Sequence, residues 1–317
     1  MRILFHVARN TFRESLREPV FYILLMLALA LIGLFPSLAL YVFREQVKMV
    51  MDSAMSTTLA LGLVAAVLCA GNTVSGEISR GTASLLLSKP VPKTTFVVAK
   101  IVGILAALTL FVASCACATL LALRVAKDQF DLDNMTLALY YGTLLLASLW
   151  GAGRNYMSSK NFSESACLAA AVLFPALLLA SRIVPMGGET PPFPYNAVPA
   201  LALLFFAVWI MGAVTVAIST RLDMVPNLFV SGLIFFAGLV SDYFLGAHAG
   251  GASVWTALYA LIPNWQFFWM ADALAGKRAI PWSYVGWCAV YAAAYIAVCA
   301  VCAVNLFAGR EAAGETR

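Results

Sequence analysis

The sequence predicts an all-α, polytopic membrane protein that crosses the bilayer about eight times. The chain of 317 residues is 62% hydrophobic and 11% charged, whereas soluble domains average about 45–50% apolar and about 25% charged residues. Its mean hydropathy is +0.90. The apolar runs are continuous and long enough to cross a hydrocarbon core of about 30 Å. A transmembrane barrel would instead show alternating segments of about ten residues.

The first element, residues 1–19, is predicted to be a helix that lies in the membrane interface. Between Arg2 and Glu18, four apolar residues fall on one helical face and three arginines on another. The apolar set is Phe5, Ala8, Phe12 and Leu16, and the basic set is Arg9, Arg13 and Arg17. Such an amphipathic helix lies in the headgroup plane and leads into the first span at Pro19.

Eight apolar runs bounded by helix breakers are the predicted spans of a single transmembrane domain, residues 1–317. They are Val20–Phe43, Ala54–Val74, Ile101–Leu123, Met135–Gly153, Ala166–Val184, Ala197–Ser219, Val225–Phe244 and Tyr284–Phe307. The fourth run is as short as the fifth, shorter than the other six, and contains Tyr140 and Tyr141. Six spans with additional interfacial or re-entrant pieces are the alternative, and either even number places both termini on one side.

Residues 254–282 are predicted to form an interfacial element on the outer side, before the last span. Four of the seven tryptophans fall in this segment, which Pro263 and Pro281 interrupt. Tryptophan favours the interface because its ring is apolar while its N–H group needs a polar partner. Asp242, at the outer end of the seventh span, is interpreted as a hydrated interfacial carboxylate rather than a proton-coupling group.

The distribution of lysine and arginine predicts that both termini are cytoplasmic. With the amino terminus inside, 13 of the 20 basic residues lie on the cytoplasmic side. They are Arg2, Arg9, Arg13, Arg17, Arg80, Lys89, Lys93, Lys100, Arg154, Lys160, Arg221, Arg310 and Arg317. Their position beside the spans explains the net charge of +5 by contact with lipid headgroups, and no nucleic-acid partner is predicted.

The most informative polar segment is the predicted cytoplasmic loop 76–100, GEISRGTASLLLSKPVPKTTFVVAK. Thr82–Ser88 can form a short helix, which Lys89 and Pro90 end because proline disfavours helix at and before its position. Three adjacent leucines make this helix too apolar to stand unprotected in the cytoplasm. The bilayer surface, the protein's own helices or a groove on a partner can cover them.

Catalytic and nucleotide-binding motifs are absent from the sequence. The two histidines, His6 and His248, belong to no HExxH or other spaced ligand set, and no GxxxxGK[ST] phosphate loop occurs. All seven cysteines fall in apolar runs and are predicted to be small packing residues. The chain is therefore predicted not to be an enzyme and to hold no metal ion and no disulfide framework.

The loop resembles the cytoplasmic loop of type-2 ABC transporter permeases, the membrane subunits of ATP-driven exporters. The resemblance is carried by Glu77, Gly81-Thr82, Leu85–Leu87, Pro90-Val91, Lys93, Phe96 and Lys100. Three further segments are similar to the family's amino-terminal elbow helix, its later inner turn and its last outer segment. They are Arg9–Tyr22, Ala217–Asn227 and Leu261–Asp272. Many such permeases have six spans, so eight spans is a departure from the family pattern.

The resemblance implies a permease subunit in the cell's cytoplasmic (inner) membrane that has no ATPase activity of its own. A separate soluble ABC ATPase would bind ATP and Mg²⁺, this chain would bind no cofactor, and a second permease copy or homologue would complete a dimer. The implied ATPase-docking residues are Glu77, Arg80, Gly81, Thr82, Leu85, Leu86, Leu87, Lys89, Pro90 and Lys93. The alternatives are a mechanotransmission or scaffold subunit of an ABC complex and an ion-coupled secondary transporter.

Overall fold

Long apolar helices account for most of the fold, as the hydropathy of the sequence predicts. The computed structural model describes residues 2–39, 46–76, 92–126, 132–183, 194–246, 254–270 and 279–314. Their helices are α1 Arg2–Arg17, α2 Pro19–Ala39, α3 Gln46–Ala70, α4 Lys93–Val125, α5 Asn134–Ser158, α6 Phe162–Ile183, α7 Ala197–Ser219, α8 Met224–Phe244, α9 Val254–Leu261 and α10 Trp282–Gly314. Within these ranges no strand occurs beyond an isolated bridge between Ala126 and Leu132.

Eight of these helices are long and apolar enough to cross a membrane, which confirms the prediction of an all-α polytopic protein. The two others are α1 and α9. Because successive spans run in opposite directions, the eight spans place α1, the end of α3 and the start of α4 at one end of the bundle. We call this the α1 end, and the sequence predicts that it is cytoplasmic.

The centre of the bundle is formed by α3, α4 and α7, which pack against one another. In their most apolar stretches, 67%, 61% and 72% of the residues are buried, against 22–28% in α5, α6, α8 and α10. Helix α2 packs against α3 and α4, the α5–α6 hairpin lies on the side of α2 and α4, and α10 lies along α7. The peripheral helices present apolar side chains outward, as lipid contact requires.

Helix α1 packs across α4 through small side chains. Ala8, Thr11 and Ser15 are buried, and a Cβ atom at Gly103 of α4 would lie 2.6 Å from the Ala8 carbonyl oxygen. Of the predicted apolar face, Ala8 and Leu16 are buried and Phe12 is partly buried, whereas Phe5 is 64% exposed. Close crossing of two backbones needs small residues at the contact, which a helical pattern of large apolar residues does not indicate.

The fourth predicted span is longer than the sequence suggests, and Tyr140 holds it against the neighbouring helices. Helix α5 has 25 residues, and Tyr140 is fully buried. Its hydroxyl donates a 2.5 Å hydrogen bond to the Leu29 carbonyl oxygen of α2, and its ring lies 5.1 Å from that of Phe174 in α6. A Cβ atom at Gly33 would collide with the Tyr140 ring. The glycine thus makes room for an aromatic side chain that bonds within the bundle.

The predicted loop 76–100 is too long, because α4 begins at Lys93. Its last eight residues form the first turns of a helix of 33 residues. Pro92 precedes α4 with φ −59° and ψ 134°, an extended conformation that lets a helix begin at the next residue. The hydropathy pattern delayed the predicted start of the span because Lys93 and Lys100 are charged.

The predicted outer element contains the short helix α9 and a 3₁₀ turn, Trp265–Phe267. Trp265 is buried, and its indole N–H donates a 3.0 Å hydrogen bond to the Phe235 carbonyl oxygen of α8. A Cβ atom at Gly238 would collide with Pro263 and the Trp265 ring. This glycine therefore lets the outer element approach α8, since no side chain stands between them.

Candidate coupling site

Nine of the ten predicted docking residues lie outside the described part of the chain, between Gly76 and Pro92. They are Glu77, Arg80, Gly81, Thr82, Leu85, Leu86, Leu87, Lys89 and Pro90. The tenth, Lys93, is the first residue of α4. The docking role of these residues stays a prediction. The described residues that hold the two ends of this loop form the candidate site, which we call the loop base. It comprises Gly71–Gly76, Pro92–Lys100, Glu14 and Asp223.

The helix that leads into the loop changes its winding before it ends. Helix α3 continues as a π-helical segment, Gly71–Ser75, a rare form that occurs frequently at functional sites. Met224 lies against Gly71, where a Cβ atom would be 3.0 Å from the Met224 Cγ atom. Ser75 Oγ donates a 2.9 Å hydrogen bond to the Asp223 carboxylate. The end of α3 is therefore joined to the connection between α7 and α8 by packing and by a hydrogen bond to an acidic side chain.

The helix that leaves the loop carries a buried cation. The Lys100 side chain is 3% exposed, and its Nζ atom lies 3.4 Å from Glu14 Oε2 of α1. The same ammonium group lies 5.8 Å from the centre of the Phe96 ring, which in turn packs against Phe307 of α10. An ammonium group is costly to bury unless a carboxylate or an aromatic face compensates it. The pairing therefore ties α4 to α1 and, through Phe96, to α10.

Asp223 lies in the connection between α7 and α8, and hydrogen bonds beside it hold these two helices together. Asn227, fully buried in α8, donates from Nδ2 to the Thr215 carbonyl oxygen (3.2 Å) and to Ser219 Oγ (2.6 Å) of α7. Its Oδ1 atom accepts a 2.9 Å hydrogen bond from Ser231. A buried amide with three such bonds resists rotation of α8 against α7, because unmade bonds would cost about 1–3 kcal/mol each.

The loop base thus joins both ends of the loop to other elements of the bundle. Its Gly76 end contacts the α7–α8 corner through Ser75 and Asp223, and its Pro92 end contacts α1 through Lys100 and α10 through Phe96. No group of three histidine, cysteine, aspartate or glutamate side chains in the described ranges could hold a metal ion. The chemistry of the site is ion pairing and packing, which link the movements of neighbouring elements.

The sequence marks Lys100 as polar. It indicates neither the contacts of Lys100 with Glu14 and Phe96 nor the hydrogen bond between Asp223 and Ser75. A lone lysine in an apolar helical run is a signal that a partner exists, because an unpaired charge there is costly. The partner, Glu14, is 86 positions away, and Ser75 and Asp223 are 148 positions apart. No local pattern connects residues at such separations, so these contacts follow only from the packing of the helices.

At the opposite end of the bundle, Asp242 is exposed on α8. Its carboxylate accepts a 3.0 Å hydrogen bond from the Tyr259 hydroxyl of α9, which itself accepts one from Asn264 Nδ2 at 2.9 Å. Desolvation by the surrounding chain raises the pKa of Tyr259, and donation to the neighbouring Asp242 raises it further. The tyrosine therefore stays protonated at neutral pH and links the outer element to α8 as a donor.

The chain was also compared with known proteins. No family model, no curated protein and no solved structure matches it. A function for the chain must therefore be inferred from its own residues and their arrangement.

Proposed function

We propose that this chain is the membrane-spanning permease subunit of an ATP-driven ABC transporter. In this proposal, residues 77–91 and Lys93 dock a separate, soluble ATPase on the cytoplasmic side, and the loop base passes the movement of that ATPase to the spans. One observation carries the proposal. The helices on both sides of the leucine-containing polar loop are bonded to other elements: α3 through Ser75 to Asp223, and α4 through Lys100 to Glu14 of α1. Because the sequence contains no phosphate loop, the proposal assigns ATP hydrolysis to another chain.

The mechanism would be a transfer of movement rather than a reaction. When the ATPase subunits close on ATP, they would displace the docked loop. Lys100 would carry this displacement into α1 through Glu14, while Ser75 would carry it to the α7–α8 corner through Asp223. Packed helices respond to such a displacement by changing between discrete arrangements, because close-packed cores do not deform continuously. The chain would thereby open to one side of the membrane and then to the other.

The docking step is tested with Leu86→Glu. A charge in place of an apolar anchor should weaken ATPase binding about thirtyfold, since anchors in a groove commonly contribute about 2 kcal/mol or more. The ATPase that co-purifies with the chain from its native membrane would be identified and used for pull-down and for ATP hydrolysis in proteoliposomes. Ser79→Glu, which adds the same charge without removing a leucine, is the matched control. The chain alone should hydrolyse no ATP above background.

Two outcomes distinguish docking from coupling. Ser75→Ala at the loop base should leave ATPase binding unchanged but weaken the response of ATP hydrolysis to the permease, because it removes only the hydrogen bond to Asp223. Glu77→Ala should behave in the same way. If Leu86→Glu leaves both binding and hydrolysis unchanged in correctly inserted protein, the loop is a membrane-surface connector and the proposal fails.

The two alternatives make different predictions in the same preparation. An ion-coupled secondary transporter would need no ATPase, so dissipating the ion gradients would stop its transport while removal of ATP would not. A mechanotransmission subunit would bind and stimulate the ATPase without moving a solute across the membrane. The proposed permease requires both ATPase binding and ATP-dependent movement of a solute.

A further inference from the structure

A basic cleft of about 1020 Å³ opens between α1, α5 and α6 at the α1 end of the bundle. Four cationic side chains and one carboxylate line it together with an apolar wall. The charged residues are Arg13 and Arg17 of α1, Arg154 of α5, Lys160 of the α5–α6 connection and Glu164 of α6. The charged groups described at the cleft therefore carry a net charge of +3.

Glu164 orients the two arginines of α1 without neutralising the cleft. Its carboxylate oxygens accept hydrogen bonds from Arg13 Nε at 3.0 Å and from Arg17 Nε at 2.7 Å. Both arginine side chains are about half exposed, at 48% and 53%. Within the described ranges their terminal Nη groups donate no hydrogen bond, so each guanidinium keeps donors that fit a phosphate group.

The two other cations have no acidic partner among the residues that the structure describes. Arg154 Nε is buried and makes no hydrogen bond there. Lys160 is exposed, and its backbone carbonyl oxygen, rather than its ammonium group, is engaged by Asn155. Helix α6 begins beside them at Phe162, so its amino-terminal dipole adds further attraction for an anion. A buried donor without an acceptor indicates that a ligand completes the site.

The apolar wall of the cleft continues from the cations toward the middle of the membrane. It includes Trp150 of α5 and Leu168 and Val172 of α6, which are 58%, 40% and 66% exposed. Between Glu164 and Val172, α6 rises about 12 Å. A ligand that satisfies both parts of the cleft has a phosphate-bearing head and an apolar chain that points into the bilayer.

We propose that the basic cleft binds an anionic phospholipid of the leaflet in which α1 lies. The headgroup phosphate is held by Arg154, Lys160 and the free ends of Arg13 and Arg17, and an acyl chain lies on Trp150 and Leu168. A free phosphate ion would satisfy the cations but would leave the apolar wall without a partner. The lipid site is independent of the transport function proposed above, because none of its residues belongs to the loop base.

The test is native mass spectrometry of the full chain titrated with phosphatidylglycerol and, separately, with phosphatidylcholine. The unaltered chain should retain phosphatidylglycerol in preference to phosphatidylcholine. The double variant Arg154→Gln/Lys160→Gln should bind phosphatidylglycerol about thirtyfold more weakly, as expected for the loss of two basic contacts with an anionic headgroup. Among the described residues, Arg154 Nε and the Lys160 ammonium group form no hydrogen bond or ion pair, so the variant should keep the fold and the stability of the chain in phosphatidylcholine.

The matched control is Arg2→Gln/Arg9→Gln, which removes two charges of α1 that do not line the cleft. Its affinity for phosphatidylglycerol should stay within about threefold, since separated surface charges are screened. Equal weakening by both double variants would overturn the site in favour of general attraction to anionic lipid. Two further results would overturn the lipid assignment: competition by inorganic phosphate at the lipid's own concentration, or unchanged phosphatidylglycerol binding by the cleft variant.

Discussion

At the scale of single residues, a few polar side chains specify how apolar helices fit together. Lys100 pairs with Glu14, Ser75 with Asp223, and Asn227 bonds across the α7–α8 corner. Apolar contacts are non-directional and by themselves specify the register of two helices only weakly. A buried polar group has few acceptable positions, since leaving it unpaired is costly. These residues therefore set the register of the helices at the loop base.

The Lys100–Glu14 pair gives an asymmetric prediction. Glu14→Gln should lower the free energy of unfolding by about 2–3 kcal/mol, because the Lys100 ammonium group would lose its carboxylate partner while remaining buried. Lys100→Met should cost less, since it removes the buried charge and leaves Glu14, 32% exposed, in contact with water. The measurement is thermal unfolding of the purified chain in detergent, followed by circular dichroism.

The double variant Glu14→Gln/Lys100→Met is the control for this pair. It should be more stable than Glu14→Gln alone, because it also removes the buried ammonium group that Glu14→Gln leaves without its carboxylate. Equal losses of unfolding free energy in the two single variants would contradict this prediction, because burial of the Lys100 charge would then not decide the cost of breaking the pair.

At the scale of elements, α1 is held against the bundle by small residues as well as by ion pairs. Its buried face includes Ala8 and Thr11, which lie over Gly103 of α4, and its arginines reach Glu164 of α6. Phe5, near the start of α1, is exposed, as the prediction of an interfacial helix requires. Helix α1 is therefore a packed part of the bundle, and its location in the interface stays a prediction.

Gly103→Leu should release α1 from α4. The new side chain would meet the backbone of Ala8, and overpacking of this kind costs about 1–3 kcal/mol. Because α1 contains several arginines, its release should appear as faster tryptic cleavage within residues 2–17 and as a lower midpoint of thermal unfolding. Both can be measured on the purified chain in detergent.

Gly142→Leu in α5 is the matched control, because a Cβ atom there has no neighbour within 4 Å. It should leave cleavage of α1 unchanged and should keep or slightly raise stability, since glycine is unfavourable inside a helix. Unchanged protection of α1 in Gly103→Leu would contradict the close contact between the two helices.

At the scale of the whole molecule, the two ends of the bundle differ in their chemistry. The α1 end carries the loop base and the basic cleft, whereas the other end carries the tryptophan-containing outer element. The excess of basic residues at the α1 end predicts that it faces the cytoplasm. That orientation is compatible with docking of a soluble ATPase, which would approach from the cytoplasm. It is also compatible with binding of an anionic lipid by the cleft, because anionic lipids are enriched in the cytoplasmic leaflet.

The orientation can be measured by cysteine labelling of intact cells, after all seven native cysteines are replaced. A cysteine at Ser79, in the predicted docking loop, should be protected from a membrane-impermeant reagent and become reactive after permeabilisation. Ser283→Cys is the matched control, because Ser283 is exposed near the outer start of α10 and should react in intact cells. Labelling of position 79 from outside would overturn the orientation and the docking hypothesis together.

The sequence by itself determined the class of the protein and most of its spans. Continuous apolar runs are local in the chain and must form helices in lipid, because every backbone polar group needs a partner within its own segment. The pattern also located the amino-terminal helix and the polar loop. It placed the start of α4 too late, at Ile101, because charged residues in the first turns of a helix lower hydropathy without ending the helix.

Only the tertiary structure decided how these helices combine into sites. The sequence identified Lys100 as polar but not Glu14 as its partner, and it placed Arg13 and Arg17 on α1 without indicating that Glu164 of α6 lies beside them. Gly103 has no distinctive local signal, although it permits a close approach of the α1 backbone. Such contacts join residues far apart in the chain. Their energies depend on the distance and burial that helix packing creates, whereas the tendency to enter the membrane depends on composition alone.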